Sequence, residues 1–201
     1  MDKPVTEPGG LYAIVLAAGE SRRFGSTKQL ARFRGEPLVA RALRLAETVC
    51  GSRTLLVAGK DWRRVHAASA PLEGFLVRND DYAEGIASSI ACGVRAVRAQ
   101  ASAVLILLAD QPLVDASYVS RLIGAWRDNG ERFACSRYGE SLGPPSIFPR
   151  AAFDELEALE GDRGARPVLD AHAGELTVLD CPAGSADVDT PADLAALGDR
   201  V

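Results

Sequence analysis

The chain has 201 residues, 47% of them hydrophobic and 25% charged, with a formal net charge of −4. That length suits one globular domain with a sizeable core, and the acidic balance supplies no overall basic field for a nucleic-acid backbone. No apolar run approaches the roughly 18 residues of a membrane span, and the opening Met1-Asp2-Lys3-Pro4 lacks the apolar centre of a signal peptide, so the expectation is a cytoplasmic protein with neither nucleic acid nor membrane as a partner.

Residues 1–10, rich in proline and glycine, are expected to form a flexible leader, with 11–201 as a single domain. From there strand-like and helix-like patterns alternate. Apolar or β-rich runs at 12–16, 54–58, 75–78 and 104–108 are separated by helical patterns at 37–49, 61–68 and 87–98. The run 103–109 is apolar at every position, as expected of a central strand covered by helices on both faces of a parallel sheet. A helix at 115–129, strands at 133–136 and 145–148, a helix at 150–159, a strand at 176–180 and a helix from Pro191 complete the pattern. Repeated βαβ units predict an α/β fold with a mostly parallel central sheet between helical layers.

Cys50, Cys92, Cys135 and Cys181 are widely spaced and form no Cys-x-x-Cys pair, which argues against structural zinc or a disulfide framework and for small buried side chains. His66 falls in an expected helix and His172 in an expected surface turn, and structural roles are assigned to both.

The segment Leu16-Ala17-Ala18-Gly19-Glu20-Ser21-Arg22-Arg23-Phe24-Gly25-Ser26-Thr27-Lys28 leaves the first strand. Gly19 and Gly25 allow the backbone to turn N–H groups toward an anion, and Arg22 and Lys28 supply charge that neutralises phosphoryl oxygens, so a nucleoside triphosphate is the expected cargo. Arg23 is assigned either to the same loop or to the surface. The spacing is not that of a P-loop, because Ser26 follows Gly25 directly and the lysine comes two residues later. The Gly-x-Gly-x-x-Gly dinucleotide fingerprint is missing, which argues against an NAD-linked enzyme.

In an open parallel sheet, ligands bind beyond the carboxyl ends of the strands, where strand order reverses. The strand ending at Leu108 delivers Asp110 to that edge. A carboxylate facing phosphates needs an intervening cation, so Asp110 is read as a Mg²⁺ ligand, with a turn-forming aspartate before Pro112 as the competing reading. Asp189, in Asp187-Val188-Asp189-Thr190-Pro191, is its expected partner; helix capping competes there, and Thr190 can cap while Asp189 binds metal. Asp187 shares its side of an extended segment and is the weaker candidate. In Tyr82-Ala83-Glu84-Gly85-Ile86-Ala87-Ser88-Ser89, Gly85 gives backbone freedom, and Ser88 and Ser89 either contact the nucleotide or simply cap the helix. Arg163 and Arg166, in Gly161-Asp162-Arg163-Gly164-Ala165-Arg166, either clamp an anionic acceptor or lie solvated in a loop.

The opening loop, the Leu108-Ala109-Asp110-Gln111-Pro112 run, the Gly161–166 loop and the Asp187–191 segment together resemble the MobA-like nucleotidyltransferases of molybdenum-cofactor biosynthesis. The resemblance spans most of the chain. It implies a Rossmann-like three-layer sandwich of the nucleotide-diphospho-sugar transferase type, Mg²⁺ dependence, and transfer of a nucleoside monophosphate with release of pyrophosphate. Ala17-Ala18-Gly19, where Ala-Gly-Gly is the common alternative, is similar to the branch that transfers CMP from CTP to molybdopterin, the form that serves molybdoenzymes. A methyl at position 18 narrows the pocket against a purine. Gly143-Pro144-Pro145 departs from the Gly-His-Pro of relatives on the acceptor side. Three other readings compete: transfer to methylerythritol phosphate, a sugar phosphate or phospholactate; use of GTP; and a non-catalytic nucleotide-binding maturation factor, against which an intact Lys28, Asp110 and Asp189 set argues.

Overall fold

A computed structural model describes residues 10–70 and 74–198. Residues 1–9 of the expected leader lie outside the described residues, and Gly10, assigned to that leader, opens the first strand instead. The chain runs β1 (Gly10–Ala17), β2 (Arg32–Phe33), β3 (Glu36–Pro37), α1 (Leu38–Cys50), β4 (Thr54–Ala58), α2 (Trp62–Ser69) and β5 (Phe75–Arg78). It continues through α3 (Ile86–Val97), β6 (Ala101–Leu108), α4 (Ala116–Asp128), β7 (Phe133–Tyr138), β8 (Ser141–Pro149) and α5 (Phe153–Glu157). The last elements are α6 (Arg166–Ala171), β9 (Leu176–Asp180) and α7 (Pro191–Gly198).

Seven strands form one sheet in the order β5-β4-β1-β6-β8-β7-β9. β8 pairs antiparallel with both β6 and β7, and every other pairing in the sheet is parallel. From β1 the chain goes to β4 on one side and later to β6 on the other, so the strand order reverses between β1 and β6. This is where a ligand crevice opens in such sheets. The sheet is therefore mostly parallel, as expected, but β6 has a parallel neighbour on only one side.

Alternation along the central strands explains the three layers. Leu11, Ala13, Val15 and Ala17 of β1 pack with Val39, Leu43 and Ala46 of α1 and Val119, Leu122 and Trp126 of α4. Tyr12, Ile14 and Leu16 pack on the opposite face with Ile90 and Val94 of α3, Phe153 of α5 and Leu169 of α6. Burial on both faces is why these strands read as continuous apolar runs rather than as alternating ones. The fold is the Rossmann-like three-layer α/β sandwich.

Several boundaries differ from expectation. The helix expected at 150–159 is a 3₁₀ turn, Arg150–Ala152, followed by the short α5. β8 begins at Ser141, ahead of its apolar section, because Ser141 and Leu142 pair with Tyr138 and Arg137. The β2–β3 hairpin escapes sequence reading because each arm is two residues long. Its link, Arg34 and Gly35, has φ of 51° and 82°, the positive values that a two-residue hairpin loop requires. α6 begins at Arg166, the last residue of the segment expected to be a loop.

Cys50, Cys135 and Cys181 are buried and Cys92 is partly buried; all four are free thiols, matching the expectation of no disulfide. His66 lies in α2. His172 stacks on Phe133 at 4.2 Å between ring centroids and reaches Glu155 at 2.9 Å, a structural arrangement. No helix among the described residues is long and apolar enough to cross a membrane.

Candidate active site

β1 and β6 are parallel and in register, with Leu16 opposite Leu108, so both deliver the residues that follow them to one edge of the sheet. Between those ends lies a cleft of about 530 Å³. Its wall includes Leu16, Ala18, Gly19, Arg22, Arg23 and Lys28 from the first strand and loop, Gly85 and Ser89 at the start of α3, and Asp110 and Asp189.

The loop after β1 is held from inside. Gln29, only 3% exposed, donates from Nε2 to the Gly19 carbonyl at 3.0 Å and accepts from Ser21 Oγ at 3.3 Å. Ser21 Oγ in turn accepts the backbone N–H of Lys28 at 3.1 Å. Ser21 has a φ of 57°, unusual for a residue with a side chain, and these three bonds hold it there. Gly25 has a φ of 77° and shapes the far end of the loop, but it lies outside the cleft wall. Ala17 likewise faces the core rather than the cleft. Gln29 carries no sequence signal of this role, because the role depends on contact with a loop ten residues earlier.

The charges converge at one point. Lys28 Nζ lies 2.6 Å from Asp110 Oδ2 and 3.1 Å from Asp189 Oδ1, and Arg23 pairs with Asp189 Oδ2 at 2.8 Å. Burial opposes the Lys28 ammonium, but the charges and hydrogen bonds of Asp110 and Asp189 outweigh it and hold its pKa above the ordinary lysine value. Arg22 instead pairs with Glu20 at 2.5 Å and is 79% exposed. Of the two adjacent arginines, it is therefore Arg23 that touches the carboxylate pair.

Asp189 is placed by the backbone and by a small core. The Val188 N–H donates to the Asp110 carbonyl at 2.9 Å, and the fully buried Val188 side chain packs with Phe33, Leu38 and Leu197. Thr190 Oγ1 accepts the Asp193 N–H at 3.2 Å, while Asp193 Oδ2 accepts the N–H groups of Thr190 and Asp189 at 2.8 and 3.1 Å. This reciprocal cap at the start of α7 leaves the Asp189 carboxylate free to face the cleft. Asp187 is pushed above the usual carboxylate range by burial and by the charge of Asp110, with Gln111 hydrogen-bonding against that shift.

The donor set suits a divalent cation. Asp110 Oδ1 is buried with no hydrogen-bond partner, and Lys28 Nζ, itself a cation, sits between the two carboxylates. Hard oxygen donors of this type, two carboxylates with room for phosphate oxygens, match the preference of Mg²⁺.

At the opposite wall, Gly85 has a φ of 108°, and a Cβ there would lie 2.5 Å from the Gly161 carbonyl oxygen and 2.6 Å from Asp162 Oδ1. The Ala87 N–H donates to that carbonyl at 3.1 Å, so the 161–165 loop covers the start of α3 and brings Asp162 into the cleft wall. Asp162 carries no sequence signal of this placement, because nothing local links it to Gly85. Neither serine is the helix cap, which is Gly85. Ser89 lines the cleft, whereas Ser88 lies outside it and donates back to the carbonyls of Asp81 and Gly85 at 2.8 Å each. Arg163 is exposed, and Arg166 is engaged with Asp170 on α6 at 3.5 Å. Neither belongs to the cleft wall.

A phosphate-type loop, a lysine and two carboxylates, gathered where strand order reverses, define a nucleotide-handling α/β enzyme. Residues 13–176 match the MobA-like NTP transferase domain; the chain belongs to that family and is a nucleotidyltransferase. It is 30% identical over 192 residues to the purine catabolism protein PucB of Bacillus subtilis (strain 168), spanning 90% of this chain and 92% of that one. It is equally 30% identical over 192 residues to the molybdenum cofactor guanylyltransferase of Rhodobacter capsulatus, spanning 95% and 96%. Rv0371c of Mycobacterium tuberculosis H37Rv has the same fold with a TM-score of 0.82 and 28% identity, over 96% of this chain and all of that one. A manganese complex of Rv0371c aligns over the same spans with a TM-score of 0.78 and 27% identity.

Proposed function

We propose that this enzyme transfers CMP from CTP to a phosphorylated acceptor, molybdopterin, and releases pyrophosphate. The observation that carries the reading is the meeting of Lys28, Asp110 and Asp189 beside the Gly19–Arg23 loop. The Rhodobacter relative named for the molybdenum cofactor supports the acceptor. The Ala18 methyl, in the cleft wall where a glycine would leave more room, supports a pyrimidine.

In this reading Asp110 and Asp189 hold Mg²⁺, which when bound supplies Lewis-acid neutralisation of the triphosphate. Lys28 and Arg22 stabilise the charge that grows on the α-phosphoryl oxygens and the leaving pyrophosphate. Leu16, Ala17, Ala18 and Gly19 with Gly25 shape the loop that receives the triphosphate, and Gly85, Ser88 and Ser89 form and support the opposite wall. An oxygen of the acceptor's phosphate attacks the α-phosphorus in line, the bond to the bridging oxygen breaks, and pyrophosphate leaves. No covalent intermediate with the protein is needed, so positioning supplies most of the rate. Arg163 and Arg166 are assigned to the acceptor side. The reading treats 11–201 as one domain acting in the cytoplasm and passing its product to a molybdoenzyme apoprotein.

The test is pyrophosphate release with Mg²⁺, molybdopterin and each of CTP, GTP, ATP, UTP and dTTP. Release with CTP supports the proposal. Release with GTP alone moves the assignment to guanylyl transfer, the reading that the name of the Rhodobacter relative favours. Release from CTP only with methylerythritol phosphate, a sugar phosphate or phospholactate replaces the acceptor. Binding of triphosphate without turnover on any acceptor makes the protein a maturation factor.

A further inference from the structure

Thr27 and Asp61 are of the residue types that favour a helix start, and each stands at one, yet neither side chain caps. Thr27 opens the 3₁₀ turn Lys28–Leu30 and Asp61 opens α2, and neither makes a side-chain hydrogen bond to the turn it begins. The Thr27 hydroxyl donates instead to Asp61 Oδ2, across 34 positions of sequence. A hydroxyl that donates to a carboxylate makes a stronger bond than one between neutral groups. Two caps are given up for one tie between the loop after β1 and the turn after β4.

The Asp61 end of the tie is fixed to the body of the fold. The Trp62 N–H donates to the Gly59 carbonyl at 3.1 Å, closing a turn. Gly59 itself is packed so closely that a Cβ there would lie 2.6 Å from the Ala18 carbonyl oxygen and 2.9 Å from both Cβ and Cγ of Tyr82. Ala18 and Tyr82 both belong to the cleft wall. The Thr27 end is one residue from Lys28, whose backbone N–H is held by Ser21 Oγ. The side-chain bonds of Ser21 and Gln29 join the loop to itself, whereas Asp61 joins it to a different strand and helix.

We infer that Asp61 is a positioning residue of the nucleotidyl transfer: through the Thr27 hydroxyl it fixes the backbone that carries Lys28, and so keeps the Lys28 ammonium between Asp110 and Asp189. The Lys28 Nζ meets those two carboxylates at 2.6 and 3.1 Å with its side chain only 14% exposed. It does so at the tip of a flexible four-carbon stem, which holds its end in place only as well as its root is held. A charge that stabilises a transition state must be in position before the reaction, so the support of the root matters to the rate. This inference rests on the role of Lys28 in the proposed reaction.

The experiment takes the wild-type protein, Thr27→Ser, Thr27→Val, Asp61→Ala and the Thr27→Val/Asp61→Ala double variant through two measurements. One is the rate at which acetic anhydride acetylates Lys28, read by mass spectrometry without metal or nucleotide. The other is kcat and KM for pyrophosphate release from CTP with Mg²⁺ and molybdopterin. Ion-paired and largely enclosed, Lys28 should label slowly in wild type and in Thr27→Ser, which keeps the hydroxyl. Thr27→Val and Asp61→Ala should each label Lys28 about tenfold faster and lower kcat about tenfold, with KM for CTP little changed. The double variant should go no further than either single one, since both remove the same tie. Labelling or kcat unchanged in either single variant, or losses that add in the double variant, would overturn the inference; a merely structural role would lower the melting temperature and leave both readouts of Lys28 unmoved. If wild type releases no pyrophosphate, or Lys28→Met releases as much as wild type, the proposed function fails, and the labelling rates still decide whether Asp61 holds Lys28 in place. Should Asp61→Ala fail to fold, Thr27→Val, of the same shape without the hydroxyl, decides alone.

Discussion

Lys28 Nζ lies 2.6 Å from Asp110 Oδ2, joining two residues 82 positions apart at the reversal point of the sheet. The ammonium both neutralises that carboxylate and competes with any other cation for it. Replacing Lys28 by Met is expected to lower kcat by about 10²–10³, the usual cost of losing a preorganised charge. The same change should tighten Mn²⁺ binding in the absence of nucleotide, whereas Asp110→Asn weakens it. Titration of Mn²⁺ followed by electron paramagnetic resonance separates the two. Weaker binding in both variants would mean that Lys28 does not compete for the site.

Gly85 is confined by the Gly161–Asp162 loop as well as by its own backbone. Alanine there must meet the Gly161 carbonyl at a φ that disfavours any Cβ, so Gly85→Ala should cost about 1–3 kcal/mol in urea unfolding, with further loss as the loop is pushed away. Gly130 also has a positive φ, of 67°, but has open space around it. Gly130→Ala should therefore cost only the backbone part, about 1 kcal/mol. Equal costs would show that the loop contact contributes nothing.

His172 is held above the ordinary histidine pKa by its hydrogen bond to Glu155, opposed by slight burial and helped by Glu175. A group whose folded pKa is raised contributes stability that is fully present below its unfolded pKa, about 6.5, and that fades as pH rises through the folded value. The melting-temperature gap between wild type and His172→Gln should thus be widest in mild acid and narrow above about pH 6.5. A constant residue will remain from the lost stacking on Phe133. A gap that widens with pH would reverse this sign.

The thiols should separate by accessibility. Burial pushes Cys50 and Cys135 up to about 11, and both are enclosed. Only thiolate reacts with a disulfide reagent, so in native protein Cys92, partly buried and raised less, should label first, and the others only on unfolding. Mass spectrometry of the labelled protein identifies the site.

The layered fold is legible in the sequence because β1 and β6 are buried on both faces, and such strands cannot conceal their apolar character. That Lys28, Asp110 and Asp189 meet is legible for a different reason: each follows or precedes a recognisable element that ends at the same edge of the sheet. Gln29, Asp61 and Asp162 are not legible in this way. Their roles are defined by hydrogen bonds or close approach to segments that local pattern does not join to them, Asp61 to Thr27 and Asp162 to Gly85. Ser88 and Ser89 cannot be told apart in sequence either. Adjacent residues on a helix point about 100° apart, and only the placement of the cleft decides which one meets it.

The Val188 N–H bond to the Asp110 carbonyl has a consequence for synthesis on the ribosome. Every strand of the sheet ends at or before Asp180, so the whole sheet is synthesised before the Asp187–Asp189 segment. Until that segment docks, the Asp110 carboxylate lacks Asp189 as its neighbour across Lys28. The enzyme is thus built first and armed last.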